Sequence, residues 1–154
     1  MIGRFMNIPS ADEDEWIVAE TEHNGKPSRI RYRPSLKKFL GHEKYPQRLI
    51  VIWPYKATEE SGLPSKELEE QMEKLEDLLV GALDKDGCGI LGYIFTKTGA
   101  RGWHIYLSDV DEAQQRVNDS LSDQPRFPIT LHIEEDPKWE TLREVYEFCC
   151  EDLD

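Results

Sequence analysis

QRLIVIWPY, residues 47–55, is the most apolar run in a chain of 154 residues. Leu49, Ile50, Val51, Ile52 and Trp53 leave no polar face, and Pro54 stops the run. A strand with one wet face alternates apolar and polar residues, whereas a strand covered on both sides reads as an unbroken apolar block. The stretch therefore predicts a central strand, and the rest of the chain can be read outward from it.

Downstream, KATEESGLP (56–64) reads as a loop. Leu68, Met72, Leu75, Leu78, Leu79, Ala82 and Leu83 then recur at helical spacing, with Ser65 placed to cap the start and Gly87 just past the end. Glu67, Glu69, Glu70, Glu73, Glu76 and Asp77 fill the outer face of this helix, and a charge run of that kind is most simply a solvated face. GILGYIFTKTG (89–99) and GWHIYLSD (102–109) predict two strands joined around Thr98-Gly99-Ala100-Arg101-Gly102, glycine supplying the positive φ. Asp109 or Asp111 is placed to cap a helix over DEAQQRVNDSLSD. In FPITLHIEE (127–135), Ile129, Leu131 and Ile133 alternate with Thr130, His132 and Glu134, a strand pattern. After Pro137 a last helix shows Trp139, Leu142, Val145, Tyr146 and Cys149 on one stripe.

Upstream, EWIVAETE and SRIRYRP read as two strands about the turn HNGKP, in which Asn24-Gly25 is a strong hairpin signal. SLKKFLGHEKYP is a short helix or an irregular connection. Residues 1–14 carry Pro9 and the acidic cluster Asp12, Glu13 and Asp14, and read as a loose or partly docked arm. The expected protein is a single α+β domain: an arm at 1–14, a β-hairpin at 15–34, a ferredoxin-like split βαβ core (β-α-β-β-α-β) at 47–136, and a C-terminal helix at 138–152. In that order of strands residues 49–53 lie between GWHIYL and ITLHI. Helices cover one face, and the reverse face needs a cover or becomes a binding surface.

Charge narrows the partners. Nineteen Lys and Arg stand against 31 Asp and Glu, a formal net charge of −12. Nucleic acids and anionic membranes need clustered cations, so both are disfavoured, and a basic protein partner is the one the whole-molecule field would steer. No apolar run approaches the roughly 20 residues of a membrane-spanning helix. The opening MIGRFMNIPSADEDEW has no apolar h-region, so no signal peptide is expected and the cytoplasm is the default compartment. Three cysteines, Cys88, Cys149 and Cys150, do not form a disulfide framework, and the four histidines make no metal-binding spacing. No metal or cofactor is expected. Oligomeric state is left open, a homodimer included.

Chemistry-bearing residues are few. There is no GxSxG, Walker or GxGxxG sequence. GCGILG (87–92) leaves a helix and enters a strand, the wrong order for a phosphate cradle. Cys88 and His104 form a Cys–His pair only if they meet across the hairpin, and Glu134, Glu135 and Asp136 a cation site only if their oxygens converge. Arg29, Arg31 and Arg33 alternate along one strand and, with Lys37 and Lys38, make the one basic spot; they are candidate anion ligands or ion-pair partners for nearby carboxylates. The open sheet face collects His104, Tyr106, Thr130, His132 and Glu134, a surface suited to a partner or a small ligand unless the hairpin or the arm packs over it. Arg101 and Trp103, set in a glycine-flanked turn, are candidate exposed recognition residues.

YPQRLIVIWPY, GLPSKELEEQMEKLEDLL and YIFTKTGARGWHIYLSD together resemble the bacterial family called domain of unknown function 695, from about Trp16 to Trp139. Gly99, Arg101, Trp103 and Tyr106 carry the hairpin part of the resemblance. The family implies no assigned chemistry. It is similar in setting to proteins related to the ribonuclease E inhibitor called regulator of ribonuclease activity B, a small acidic α/β protein that acts by binding. What the resemblance implies is a non-catalytic protein-binding or regulatory module. The alternative is a small-molecule-binding protein or hydrolase using the arginine row and the His104/His132 face.

Overall fold

A computed structural model describes residues 8–23, 25–57, 62–149, 151 and 153. Asn24 of the predicted turn, Cys150, residues 1–7 of the arm and residues 58–61 of the loop lie outside the described residues. Six strands, β1 (Ile17–His23), β2 (Lys26–Tyr32), β3 (Gln47–Pro54), β4 (Gly89–Lys97), β5 (Ala100–Leu107) and β6 (Thr130–Glu135), form one sheet in the order β1-β2-β4-β5-β3-β6. Every neighbouring pair is antiparallel. The apolar run of β3 lies between β5 and β6, with Val51 opposite Trp103 on one side and Leu131 on the other. The first hairpin extends the sheet beside β4 and does not fold over it.

Helices α1 (Lys66–Leu79) and α2 (Val110–Leu121) begin on side-chain caps. Ser65 Oγ accepts from the Leu68 N–H at 3.2 Å, and Asp109 Oδ1 from the Glu112 N–H at 3.0 Å. A π-helical turn, Val80–Asp84, prolongs α1. Met72, Leu75, Leu79, Ala113 and Val117 pack with Leu49, Val51, Trp53, Trp103, Ile105 and Leu107 to make the larger core.

The reverse face is partly closed, though not by the hairpin. Helix α3 (Glu140–Phe148) and a 3-10 helix at Pro34–Phe39 lie over it, and Leu36, Phe39, Trp139, Leu142 and Tyr146 form a second core with Ile30, Tyr32, Ile90, Tyr93 and Tyr106. A sheet with apolar residues on both faces needs two covers, and the C-terminal stripe supplies the second. Between Leu91 and Tyr93 the β4–β5 register slips at Gly92, a bulge that keeps Leu91 on the α1 face and Tyr93 on the reverse face.

Candidate functional site

Strand β5 presents its side chains to two different surroundings. Toward α1 it carries Arg101 and Trp103. The β4–β5 turn is two residues, Thr98 and Gly99, with Gly99 at φ 92°, so the strand already runs from Ala100. Arg101 and Trp103 are therefore not turn residues at the surface, as the sequence suggested; both are buried. Arg101 Nε donates to Thr96 Oγ1 at 2.7 Å and Nη2 to Glu69 Oε1 at 2.7 Å. Trp103 Nε1 donates to Glu76 Oε1 at 3.0 Å, and Arg31 Nη2 donates to the same oxygen. Glu69 and Glu76, on the inward edge of the acidic helix face, thus clamp α1 to the sheet.

The expected arginine row divides. Arg29 and Arg31 face α1, where Arg29 Nε donates to Glu20 at 3.0 Å and Nη1 lies 3.9 Å from Glu69. Arg33 follows the end of β2 and turns inside. Its guanidinium is fully buried, with Nε on Asp14 at 2.8 Å, Nη1 on the Leu91 carbonyl at 2.8 Å and on Asp84 at 3.3 Å, and Nη2 on the Pro9 carbonyl. Asp84 also accepts from the Ala11 N–H at 2.6 Å and the Leu91 N–H at 2.7 Å. Burial pushes the Asp84 carboxyl up, against the pull of Arg33 and these donors. This cluster docks the described part of the arm, through Pro9, Ala11 and Asp14. Lys37 pairs with Glu151 at 2.9 Å, while Lys38 is exposed.

Between β1, β2 and α1 lies a groove of about 460 Å³ lined by Val18, Glu20, Arg29, Arg31, Glu69, Glu73, Glu76, Asp77 and Arg101. Five carboxylates face three guanidinium groups there. Glu73 and Asp77 are exposed and form no ion pair with another described residue. An incoming anion meets arginines already engaged, whereas a cation meets two unengaged carboxylates.

The reverse side of β5 carries His104 and Tyr106; the register sets half-buried His104 in one row with Ile50 and the exposed His132, whereas Tyr106 is closed off. Tyr106 is buried under α3, stacked on Trp139 with ring centroids 4.4 Å apart. Its hydroxyl donates to Asp136 Oδ2 at 3.0 Å and lies 2.8 Å from Thr141 Oγ1; burial holds the phenol well above its ordinary range. Asp136 caps α3, accepting the Glu140 N–H at 2.7 Å. Burial would raise this carboxyl, yet hydrogen bonds from the Thr141 hydroxyl and the Glu140 and Thr141 N–H groups leave it below its ordinary value. His104 stacks on Tyr93 at 4.1 Å, and its Nδ1 is buried with no partner among the described residues. Burial, with Arg48 close by, depresses its pKa to about 3, so the ring is neutral at physiological pH. His132, across Ile50 on β6, is exposed.

Two other arrangements do not form. Cys88 packs in the α1-side core, whereas His104 lies on the reverse face, so no dyad exists; burial pushes the Cys88 thiol up, away from the reactive thiolate. Glu134 turns to Arg48 Nη2 at 2.6 Å, Asp136 caps α3, and Glu135 projects to the opposite face from Glu134. No group of three or more His, Cys, Asp or Glu side chains converges as a metal site among the described residues.

Sequence reasoning missed Arg48 and Tyr93. Arg48 bridges Glu134 and Asp136, the latter at 3.7 Å, while its Nε has no partner among the described residues. The available signal was a lone cation entering the most apolar strand.

Six antiparallel strands with helices on both sides, an acidic groove along α1 and a partly covered reverse face define an α+β protein, and no metal-ligating cluster forms among the described residues. Its residues 14–146 match the model of the Family of unknown function (DUF695). The chain belongs to that family. No curated protein and no solved structure matches it. No helix among the described residues is long and apolar enough to cross a membrane.

Proposed function

We propose that this chain is a non-catalytic protein-binding or regulatory module of the cytoplasm, built on a ferredoxin-like core, whose partner is a basic protein segment. The core reading is supported by the strand order β4-β5-β3-β6 and by α1 and α2 as the two crossovers, the pattern of a split βαβ unit. The partner reading is carried by one observation: in the groove beside α1 the arginines are matched, and Glu73 and Asp77 remain exposed and unengaged. A lysine or arginine side chain laid along the groove completes its charge, and the field of a −12 chain steers such a segment toward it. The ribonuclease E inhibitors supply the pattern for this mode of action, occupation of a partner's surface without chemistry.

The test is affinity capture from source cells with the wild-type chain and with Glu73→Lys/Asp77→Lys. A partner held by the groove is recovered by the first, lost by the second, and released as salt rises. Equal recovery by both chains sinks the reading.

The second reading, a small ligand on the reverse face, is favoured by the unpartnered His104 Nδ1 and Arg48 Nε. Thermal shifts against small carboxylic acids and phosphates test it. A stabilising compound must lose its effect in His104→Ala for this reading to stand.

A further inference from the structure

Strand β6 closes one edge of the sheet, and all six of its residues are exposed. The Asp136 N–H donates inward, to the Pro46 carbonyl, at 3.0 Å. Main-chain groups alternate along an antiparallel strand, so those of Leu131, Ile133 and Glu135 point outward at the free edge. The side chains of Leu131 and Ile133, 43% and 44% exposed, line an apolar cleft of about 160 Å³ together with Leu49, Leu107, Val110 and Val117. A free edge beside an apolar cleft is a pairing surface unless the strand carries a charge or proline that blocks it. Within β6 the charges sit only at its end, where Arg48 engages Glu134.

We propose that β6 pairs with β6 of a second copy of this chain, antiparallel about a two-fold axis at His132, joining the two sheets. The sequence is self-complementary in this register. A two-fold axis normal to the sheet keeps each face continuous, so the residues placed opposite one another must share a face. Centred on His132, it sets Leu131 opposite Ile133 of the other copy as hydrogen-bonded pairs and Thr130 opposite Glu134, so no carboxylates oppose each other. The other edge fails the same test. Self-pairing of β1 about its midpoint sets Glu20 against Glu20, and like charges directly opposite are destabilising.

A strand of six residues with a cleft rim gives an interface at the small end of the specific range, about 1,200 Å² in all, so the dimer is reversible. Both copies carry −12, so salt strengthens it by screening repulsion. This is opposite to the salt response of the groove.

Sedimentation velocity of the full chain from about 5 to 500 µM, at low and high salt, is expected to show a monomer–dimer equilibrium that shifts to dimer with concentration and salt. Leu131→Lys/Ile133→Lys is expected to be monomeric throughout. In a non-hydrogen-bonded pair the Cα atoms lie about 4.5 Å apart, within disulfide reach. His132→Cys, an exposed substitution that leaves the cores untouched, is therefore expected to form a 132–132 disulfide on mild oxidation, identified by peptide mass mapping. A wild-type chain that stays monomeric, a dimer indifferent to the lysine pair, or a dimer that gives no 132–132 link overturns the proposal. If the lysine variant fails to fold, the cysteine result decides.

Discussion

Asp84 Oδ2 lies 3.3 Å from Arg33 Nη1, and both side chains are sealed from solvent. The pair joins the end of the α1 extension to the chain just after β2, and through Pro9, Ala11 and Asp14 it fastens the amino-terminal arm to the core. Removing Asp84 leaves the buried Arg33 with Asp14 as its one carboxylate partner among the described residues, and the Ala11 and Leu91 N–H groups without their acceptor. Asp84→Ala is expected to cost about 3–5 kcal/mol, read from urea unfolding. A loss below about 1 kcal/mol would mean that Asp14 alone balances the buried guanidinium.

Trp103 is a core residue with one polar tether, its indole N–H on Glu76. Trp103→Ala is expected to cost about 3–5 kcal/mol by loss of buried volume. Glu76→Ala, which leaves the indole and Arg31 without their acceptor, is expected to cost about 1–3 kcal/mol. Unfolding curves that match the wild type for both would return Trp103 to the surface role its glycine-rich setting suggests.

His104 governs stability in mild acid. Its folded pKa, about 3, lies below the ordinary histidine value, so between the two only the unfolded chain takes up the proton. Stability is therefore full above about pH 6.5 and falls as pH drops, by up to about 1.4 kcal/mol per unit from this group. His104→Phe keeps the stack on Tyr93 and removes the proton site. The wild-type minus variant stability, measured between pH 4.5 and 7, is expected to decline toward acid; a flat difference contradicts the assignment.

Asp136 caps α3 and receives the Tyr106 hydroxyl. Asp136→Ala is expected to lose about 0.5–2 kcal/mol from the cap alone, and more from the phenol left unpaired. Because its folded pKa is depressed, its contribution is present above the ordinary carboxylate range and lost as pH falls through the folded value. Asp136→Asn keeps an acceptor and is expected to recover part of the loss. Indistinguishable Asn and Ala variants would argue against the cap.

By itself, the sequence determined the elements and the axis of the sheet. Leu49 to Trp53 is apolar on both sides, and such a run is satisfied only between neighbours and under cover; β3 lies between β5 and β6. The leucine spacing of α1, its Ser65 cap and the Asp109 cap of α2 were equally legible, because period and capping are local properties. The reverse-face cover and the buried state of Arg33, Arg101 and Tyr106 were decided by tertiary structure alone. A stripe such as Trp139–Tyr146 says that a helix is amphipathic but not which sheet face it meets. An arginine written between apolar residues reads the same whether water or a distant carboxylate receives it. Asp84 is 51 residues from Arg33, and only the fold brings them together.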